Sequence, residues 1–402
     1  MAHQAAILPW DVLASIFELR DVNPCQCNVK DFHPRDHLDN SRKLFDFIEA
    51  FLQKAFADAR LERSKYPKKY EVPDGNEVIV TDEVARRITP TVERWLTEDD
   101  DPYLDEDSIP VKKLRRGQLC PHTNESDRCK CPLPYKERKM SAFKRFYTPN
   151  NCFEFGSVNG EAFRNLELVK MLLLHGEMDP ILRACTYELS GLGAWWEEGE
   201  CHCGDPDLGW NRICMFAMQM YIVLNLIYCF PETWERNGSP IDNYGDIKSY
   251  QFAIRTCTRS HYASEIPTYP HRDFFGVEKG QFKDTAVPYD RQRWMHLEEK
   301  KVDIYIHPYF PCGLMSSNEF FNFEKPISYQ PHETDIPQVR WMLRQKGLPV
   351  ELAEMILETA SYTPKRILPV SGKPFHPRNR AELNCYLEQC WQLIVRYRGP
   401  RT

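Results

Sequence analysis

The longest apolar segment of the chain constrains its fold more than any other feature. Residues Ile213–Phe230 read ICMFAMQMYIVLNLIYCF. A segment of this length is at the lower limit for a membrane-spanning helix. It contains Gln219 and Asn225, however, and it has no second segment of its kind beside it. We therefore expect a helix that is buried in a large core, and a soluble protein without a membrane partner.

Other segments repeat apolar residues with the spacing of an α-helix. The segment Lys43–Leu61 carries Leu44, Phe47, Ile48, Phe51, Leu52, Ala55 and Phe56 on its predicted apolar face. The segment Arg380–Arg396 carries Leu383, Leu387, Cys390, Trp391 and Ile394. Alternation at Val302, Ile304 and Ile306 is typical of a strand. The predicted fold class is α+β, helix-dominated, with a small β component and one large core.

The length of 402 residues exceeds that of a typical single domain, so the chain is expected to have distinct regions. We predict an N-terminal helical region at 1–96 and a charge-segregated segment at 97–150. A main helical and mixed core, which ends in a pair of helices, would follow at 151–402. Within the first region, 21–40 is expected to form a loop.

Composition and missing motifs exclude several functional classes. The chain has 52 basic and 58 acidic residues and a net charge of −6, which excludes a generally basic nucleic-acid-binding surface. Met1–Pro9 lacks the features of a signal peptide, so a cytoplasmic location is expected. There is no G-x-x-x-x-G-K-[ST], H-E-x-x-H or G-x-S-x-G motif. An enzyme with this sequence would suit a substrate that is already activated.

Opposite charges are segregated in the middle of the chain. Glu98–Asp107 contains seven acids, whereas Lys112–Arg145 contains eleven bases and three acids and has a net charge of +8. Such runs are commonly solvated loops. Alternatively, the carboxylates could bind a guanidinium group through paired hydrogen bonds, and the bases could bind the phosphates of RNA. Arginyl-tRNA would offer both groups in one molecule.

The acidic run also carries a family resemblance. Asp99-Asp100-Asp101-Pro102-Tyr103-Leu104-Asp105-Glu106 is similar to the D-D-x-x-E motif of fungal arginine-containing cyclodipeptide synthases. The resemblance implies that arginyl-tRNA and a second aminoacyl-tRNA are condensed into a cyclic dipeptide, with no cofactor required for catalysis. The residues that would bind arginine or act as the base are Asp99, Asp100, Asp101, Asp105 and Glu106. The residues that would contact tRNA are Lys112, Lys113, Arg115 and Arg116.

Cysteine and histidine residues cluster in three places. Cys120, His122, Cys129 and Cys131 fall within twelve residues and could complete a tetrahedral zinc site. Cys25 and Cys27 with His33 and His37 form a second possible quartet, and Cys201-His202-Cys203 is a third fragment. The competing interpretation is ordinary reduced cysteine. The remaining cysteines are expected to fill the core, and a structural zinc ion at the first cluster is the preferred metal hypothesis.

A non-catalytic function is the alternative. Leu348-Pro349-Val350-Glu351-Leu352 resembles the opening helix of an F-box, so the chain could be a zinc-containing, F-box-like interaction module that docks an adaptor helix. That function requires Leu352, Met355 and Ile356 on the surface. The competing structural interpretation, which we prefer from sequence, is a core helix that begins at Pro349. Further candidate polar residues are Glu197, Glu198, His261, His271 and His307.

Overall fold

The computed structural model describes segments from both ends of the chain and from its middle. The described residues are 2–4, 6–21, 30–35, 40–73, 80–81, 83–88, 160–186, 210–236, 239–240, 244–258, 270–278, 281–282, 312–313, 316–322 and 327–397. Within these ranges the protein is rich in helix and has two short antiparallel sheets. The predicted helix-dominated α+β class is therefore confirmed.

The elements follow one another in a mainly helical order. The α-helices are α1 (Trp10–Ile16), α2 (Asn40–Ser64), α3 (Gly160–His175), α4 (Met178–Cys185), α5 (Trp210–Tyr228), α6 (Lys248–Thr258), α7 (His271–Phe275), α8 (Ser317–Phe321), α9 (Asp335–Gln345), α10 (Val350–Thr359) and α11 (Arg380–Tyr397). The strands are β1 (Phe17–Asp21), β2 (Lys30–Pro34), β3 (Glu235–Arg236) and β4 (Ser239–Pro240). Residues 83–88 are also helical.

The chain divides into two compact units. The first unit contains Met1–Ala55 and Phe216–Trp391, and the second contains Phe56–Met215 and Gln392–Thr402. The predicted regions 1–96, 97–150 and 151–402 stay a prediction, because the middle region lies outside the described residues.

The apolar segment of the sequence forms helix α5. Phe216, Met220, Tyr221, Leu224 and Ile227 on this helix are fully buried. The prediction of a buried core helix is therefore confirmed. None of the helices within the described residues is both long enough and apolar enough to span a membrane.

An aromatic cluster holds the core of the first unit together. The ring centroid of Trp10 lies 5.0 Å from that of Phe47 and 5.7 Å from that of Tyr221. Trp391 lies 5.3 Å from Tyr221 and 5.5 Å from Phe51. Because tilted and edge-to-face aromatic pairs at these distances attract one another, the cluster joins α1, α2, α5 and α11 into one core.

A β-hairpin occupies part of the segment that was expected to be a loop. β1 and β2 pair antiparallel, with Leu19 opposite Phe32. The ring of Phe32 lies 5.4 Å from that of Phe230, so the hairpin packs on the core of the first unit. The prediction of a loop at 21–40 is therefore wrong for Lys30–Pro34, which is strand. This pairing brings together residues that are 9 to 17 positions apart, and helical periodicity does not detect it.

The buried face of α2 is narrower than predicted. A stripe of residues four positions apart is buried and consists of Phe47, Phe51, Ala55 and Ala59. The predicted face also contained Leu44, Ile48 and Phe56, which are 36%, 45% and 48% exposed. The two sets lie on adjacent helical stripes, and only one of them is covered by the core.

Helix α10 also departs from its prediction. Ala353 and Leu357 are buried, but Leu352, Met355 and Ile356 are exposed. The preference for a core helix is therefore wrong for these three residues. Periodicity predicted correctly that they share one face, since they are three and four positions apart, but it could not show what covers that face.

A buried ion pair stabilises the second unit. The guanidinium of Arg396 lies 3.4 Å from the Glu62 carboxylate, and it also donates a hydrogen bond to the backbone carbonyl of Leu173 at the end of α3. Both charged side chains are about nine-tenths buried. Since a buried charge is costly unless it is paired, this contact fixes the end of α3 against α2 and α11.

Candidate functional site

The site residues predicted from the sequence lie outside the described residues. This holds for the acids Asp99, Asp100, Asp101, Asp105 and Glu106, for the bases Lys112, Lys113, Arg115 and Arg116, and for the cluster Cys120, His122, Cys129 and Cys131. It also holds for Glu197, Glu198, His261, His307, Cys25, Cys27, His37, Cys201, His202 and Cys203. Their roles therefore stay predictions.

Metal ligands can be assessed in the described part of the chain. No group of three or more His, Cys, Asp or Glu side chains within those residues could hold a metal ion. His33 lies on β2, but the other three members of its possible quartet are outside the described ranges. The zinc hypothesis at Cys120 and its neighbours is neither supported nor opposed by this finding.

A cavity in the first unit is a candidate site in the described part of the chain. Its volume is about 510 Å³. Helix α7, the segment before α9, the segment after α10 and the first turn of α11 contribute its walls. The lining residues are Asp273, His332, Glu333, Pro364, Lys365, Arg366, Ile367 and Glu382. Five of these eight residues carry a carboxylate, an ammonium or a guanidinium group, so the cavity is suited to a polar ligand.

The buried guanidinium of Arg366 fixes one wall of the cavity. Its Nε donates to the backbone carbonyl of Gln330 over 2.6 Å. Its Nη1 donates to the carbonyl of Pro369 over 2.7 Å and to that of Leu368. Arg366 is only 9% exposed, and these bonds tie the segment before α9 to the segment after α10. The side chain therefore positions the cavity wall and is not available to a ligand through these atoms.

Asp335, at the start of α9, completes the environment of Arg366. Its Oδ2 lies 3.0 Å from Arg366 Nη2, and it accepts hydrogen bonds from the Tyr329 hydroxyl at 2.8 Å and the His332 backbone N–H at 2.7 Å. Burial alone would raise the pKa of Asp335, but these hydrogen bonds and the Arg366 charge lower it below its ordinary value. Asp335 is therefore an ionised structural carboxylate.

Gly276 allows the backbone to pass close to Arg366. Its φ of +66° lies in the left-handed region, where a side chain is strained. A Cβ atom at this position would lie 3.1 Å from Arg366 Cβ. The chain therefore needs glycine here to end α7 beside the cavity wall.

His332 brings an imidazole to the cavity, and hydrogen bonds fix its tautomer. Its Nδ1 accepts a hydrogen bond from the Thr334 backbone N–H at 3.2 Å and lies 2.8 Å from the Thr334 hydroxyl. A nitrogen that accepts from a backbone N–H carries no proton itself, so the neutral ring has its proton on Nε2. This hydrogen bond selects one tautomer, as is typical of an orienting partner of histidine.

Three carboxylates line the cavity beside the cationic Lys365 and Arg366. Asp273, Glu333 and Glu382 line it, and the positive charge of Arg366 is already matched by Asp335. Glu382 Oε2 is buried and accepts no hydrogen bond from any described residue. Its position in the first turn of α11 is favourable, since the helix dipole stabilises a negative charge there. A ligand with an ammonium or guanidinium group would match these carboxylates.

The buried cysteines are unsuited to nucleophilic catalysis. Burial raises the pKa of Cys390 to about 12 and that of Cys257 well above its ordinary value. Tyr386 is also fully buried, and its pKa is raised for the same reason. The ring of Tyr386 stacks on Phe274, and its hydroxyl lies 2.6 Å from Nδ1 of the buried His271. These groups form part of the core rather than an accessible site.

The expectation that the remaining cysteines fill the core is correct only in part. Cys257, Cys312 and Cys390 are buried, whereas Cys385 on α11 is exposed. Cys385 lies on the opposite side of α11 from the buried stripe. An apolar sequence around this cysteine therefore did not mean that its side chain is buried.

His332 and Glu382 were not among the candidate site residues predicted from the sequence. The polar run His332-Glu333-Thr334-Asp335 was a usable signal, since it precedes a helix and contains both an imidazole and carboxylates. The partner residues lie about sixty positions upstream, at Asp273, and fifty downstream, at Glu382. No local pattern could have brought them together.

The fold and the cavity define a helix-rich α+β protein with a polar, acid-lined candidate site. The family model described as "Gramillins biosynthetic cluster protein GRA5" matches residues 11–398. The chain therefore belongs to this family and is a fungal secondary-metabolite cluster protein. No curated protein and no solved structure matches the chain.

Proposed function

We propose that this fungal cluster protein is a tRNA-dependent cyclodipeptide synthase, which condenses arginyl-tRNA with a second aminoacyl-tRNA. The observation that carries the proposal is the charge-segregated sequence, with seven acids at Glu98–Asp107 and a net charge of +8 at Lys112–Arg145. Membership of a biosynthetic-cluster family supports a role in making a small molecule. The partners would be aminoacyl-tRNAs, and catalysis would require no added cofactor.

The proposed reaction needs few groups from the protein. The α-amine of one aminoacyl-tRNA attacks the ester carbonyl of the other, an amide bond forms, and the tRNA of the attacked ester leaves through its terminal hydroxyl. The second amine then attacks the remaining ester, closes the six-membered ring and releases the second tRNA. A base must accept the amine proton, and hydrogen-bond donors must stabilise the oxyanion. Because each ester is already activated, no nucleotide-binding motif is needed.

The acidic run would supply the groups that recognise arginine. Carboxylates bind guanidinium through paired hydrogen bonds, which distinguish arginine from lysine. The proposed residues are Asp99, Asp100, Asp101, Asp105 and Glu106, one of which would also act as the base. The acid-lined cavity supports the proposal with a second suitable set, since Asp273 and Glu382 could bind a cation.

The proposal is tested by product analysis after expression in a host that supplies charged tRNAs. We expect a cyclic dipeptide that contains arginine and takes up isotopic label from fed arginine. A host that carries the empty vector should lack this product. Folded, soluble protein without any arginine-containing cyclic dipeptide would contradict the proposal.

The basic segment leads to a separate prediction about tRNA. Reversing the charges of Lys112, Lys113, Arg115 and Arg116 should weaken tRNA binding because phosphate contacts release counterions. If all four residues contact phosphates, the slope of log affinity against log salt should become shallower by about 3. The measurement is a filter-binding or anisotropy titration at several salt concentrations.

A matched variant separates this local effect from that of net charge. Reversing the exposed Arg42, Lys43, Lys68 and Lys69 changes the net charge by the same amount at positions far from the segment in sequence. This control should retain the salt slope of the unaltered protein. Equal weakening in both variants would assign the effect to overall charge and remove the proposed role of the basic segment.

A second candidate function is favoured by the surface of α10. The F-box-like interpretation required Leu352, Met355 and Ile356 to be exposed, and they are. In this alternative the helix would dock an adaptor protein, and the chain would be a non-catalytic interaction module. Neither the family description nor the cavity supports this function, so we place it second.

A further inference from the structure

Helices α9 and α10 form a hairpin that is attached to the first unit through few buried residues. Helix α9 has no buried residue, and α10 has only Ala353 and Leu357. The two helices are held to each other by Arg340, whose guanidinium binds the Glu354 carboxylate with distances of 2.5 and 2.9 Å. Gly347, with a φ of +83°, makes the turn between them possible. The hairpin therefore presents most of its surface to solvent.

Large apolar side chains are concentrated on this hairpin. Leu352, Met355 and Ile356 are 46%, 58% and 42% exposed and share one face of α10. Trp341 and Met342 on α9 are 60% and 47% exposed. A single exposed apolar residue is ordinary, but a group of this size on adjacent helices is typical of an interaction surface. Tryptophan and methionine are also enriched in protein–protein interfaces.

The charges of the hairpin are divided between its two helices. Helix α10 carries Glu351, Glu354 and Glu358 and no basic residue. The second half of α9 and the turn carry Arg340, Arg344 and Lys346. Arg340 and Glu354 pair within the hairpin, whereas Arg344, Lys346, Glu351 and Glu358 are exposed. The hairpin therefore displays a basic helix and an acidic helix, each beside apolar residues.

We propose that a second copy of this chain packs on the hairpin, with α9 of each copy against α10 of the other. A two-fold axis makes the same patch contact itself, so residue i meets residue j and residue j meets residue i. In this arrangement the basic α9 of each copy contacts the acidic α10 of the other, so the favourable charge contact is made twice. The exposed apolar side chains of both copies are covered at the same time. The four helices form a bundle, the arrangement in which amphipathic helix pairs bury their apolar faces.

The charge pattern favours a second copy over an unrelated partner. An adaptor helix would have to supply both an acidic and a basic surface around one apolar stripe, whereas a second hairpin supplies both by symmetry. The inference does not depend on the proposed catalytic function, since it uses only the exposed residues of α9 and α10.

Sedimentation velocity over a range of concentrations tests the proposal on the full chain. Each chain has a mass of 47.4 kDa, and the unaltered protein should sediment as two chains that separate on dilution. Replacing Leu352 and Met355 with lysine puts two desolvated charges in the interface and should raise the dissociation constant by roughly 100-fold or more. Both residues are exposed in the single chain, so circular dichroism should show no change in folding.

Three further variants make the test specific. Phe45→Lys, at a residue of α2 that is 65% exposed, should leave the dimer intact. Glu351→Arg with Glu358→Arg should weaken the dimer, and adding Arg344→Glu with Lys346→Glu should restore it, since the charges would then match again.

The same measurements can overturn the proposal. A protein that stays monomeric at its highest attainable concentration would do so, as would a dimer unaffected by the two lysines. A monomer that binds a purified F-box adaptor through Leu352 and Met355 would also overturn it and would support the F-box-like function.

Discussion

Replacing Arg366 with methionine should lower the free energy of unfolding by about 3–5 kcal/mol, which is the usual loss when one partner of a buried ion pair is removed. The variant leaves the Asp335 carboxylate without its cation and three backbone carbonyls without their donor. Methionine retains much of the side-chain volume, so the loss reports hydrogen bonding and charge rather than a cavity. The measurement is the midpoint and slope of urea denaturation.

Arg42 provides the control for this substitution. It is an exposed arginine on α2, outside the hairpin of α9 and α10, and Arg42→Met should change the free energy of unfolding by no more than about 0.5 kcal/mol. The stability of Arg366→Lys should lie between those of the two methionine variants, because lysine keeps the charge but cannot donate in the same planar fork. An Arg366→Met protein as stable as the Arg42→Met protein would show that the guanidinium does not hold the cavity wall.

The stability of the Arg366 variants should also depend on pH. The pKa of Asp335 is lower in the folded protein than in the unfolded chain, so the pair contributes fully above the unfolded pKa of about 3.9. That contribution is lost as pH falls through the folded pKa. The stability difference between the unaltered protein and Arg366→Met should therefore narrow below about pH 4.

The helical core could be predicted from the sequence because its signals are local. Phe216, Tyr221 and Leu224 on α5 lie in one uninterrupted apolar segment, and their burial follows from its composition alone. The buried stripe of α11, which includes Leu383, Leu387 and Trp391, follows from helical periodicity in the same way. Both cases depend on residues only a few positions apart.

The cavity and the hairpin surface could not be predicted in this way. The cavity is built from Asp273, His332, Arg366 and Glu382, which are separated by up to about 110 positions and meet only through tertiary packing. On α10, periodicity groups Leu352 with Met355 and Ile356, but burial depends on whether another element reaches that face. The sequence determines the face of a helix, whereas the rest of the fold determines what covers it.

The double variant Asp100→Asn with Asp101→Asn should reduce the yield of cyclic dipeptide by about one to two orders of magnitude. Seven acids in ten residues repel one another, and a bound guanidinium would relieve that repulsion. Asparagine keeps the size and hydrogen-bonding capacity of aspartate but removes its charge. A lost charge-assisted hydrogen bond is worth roughly 1.5–3 kcal/mol, which corresponds to this loss in rate. The loss should be larger if one of the two carboxylates is also the base.

The control removes two negative charges at exposed positions elsewhere. Asp46 and Glu232 are exposed, so Asp46→Asn with Glu232→Gln should leave the yield unchanged. Circular dichroism should show that both double variants fold like the unaltered protein. Equal losses in the two variants would mean that overall charge, rather than recognition by the acidic run, controls the yield.

An unchanged product yield would mean that a different part of the molecule carries out the reaction. Full product yield from Asp100→Asn with Asp101→Asn would mean that these two acids neither bind arginine nor act as the base. His332→Gln and Glu382→Gln would then be the decisive variants, since these residues supply the imidazole and a buried carboxylate oxygen of the cavity. Loss of product from those variants, with folding intact, would place recognition in the cavity. Retained product would leave Asp99, Asp105 and Glu106, together with Glu197 and Glu198, as the acids still to be tested.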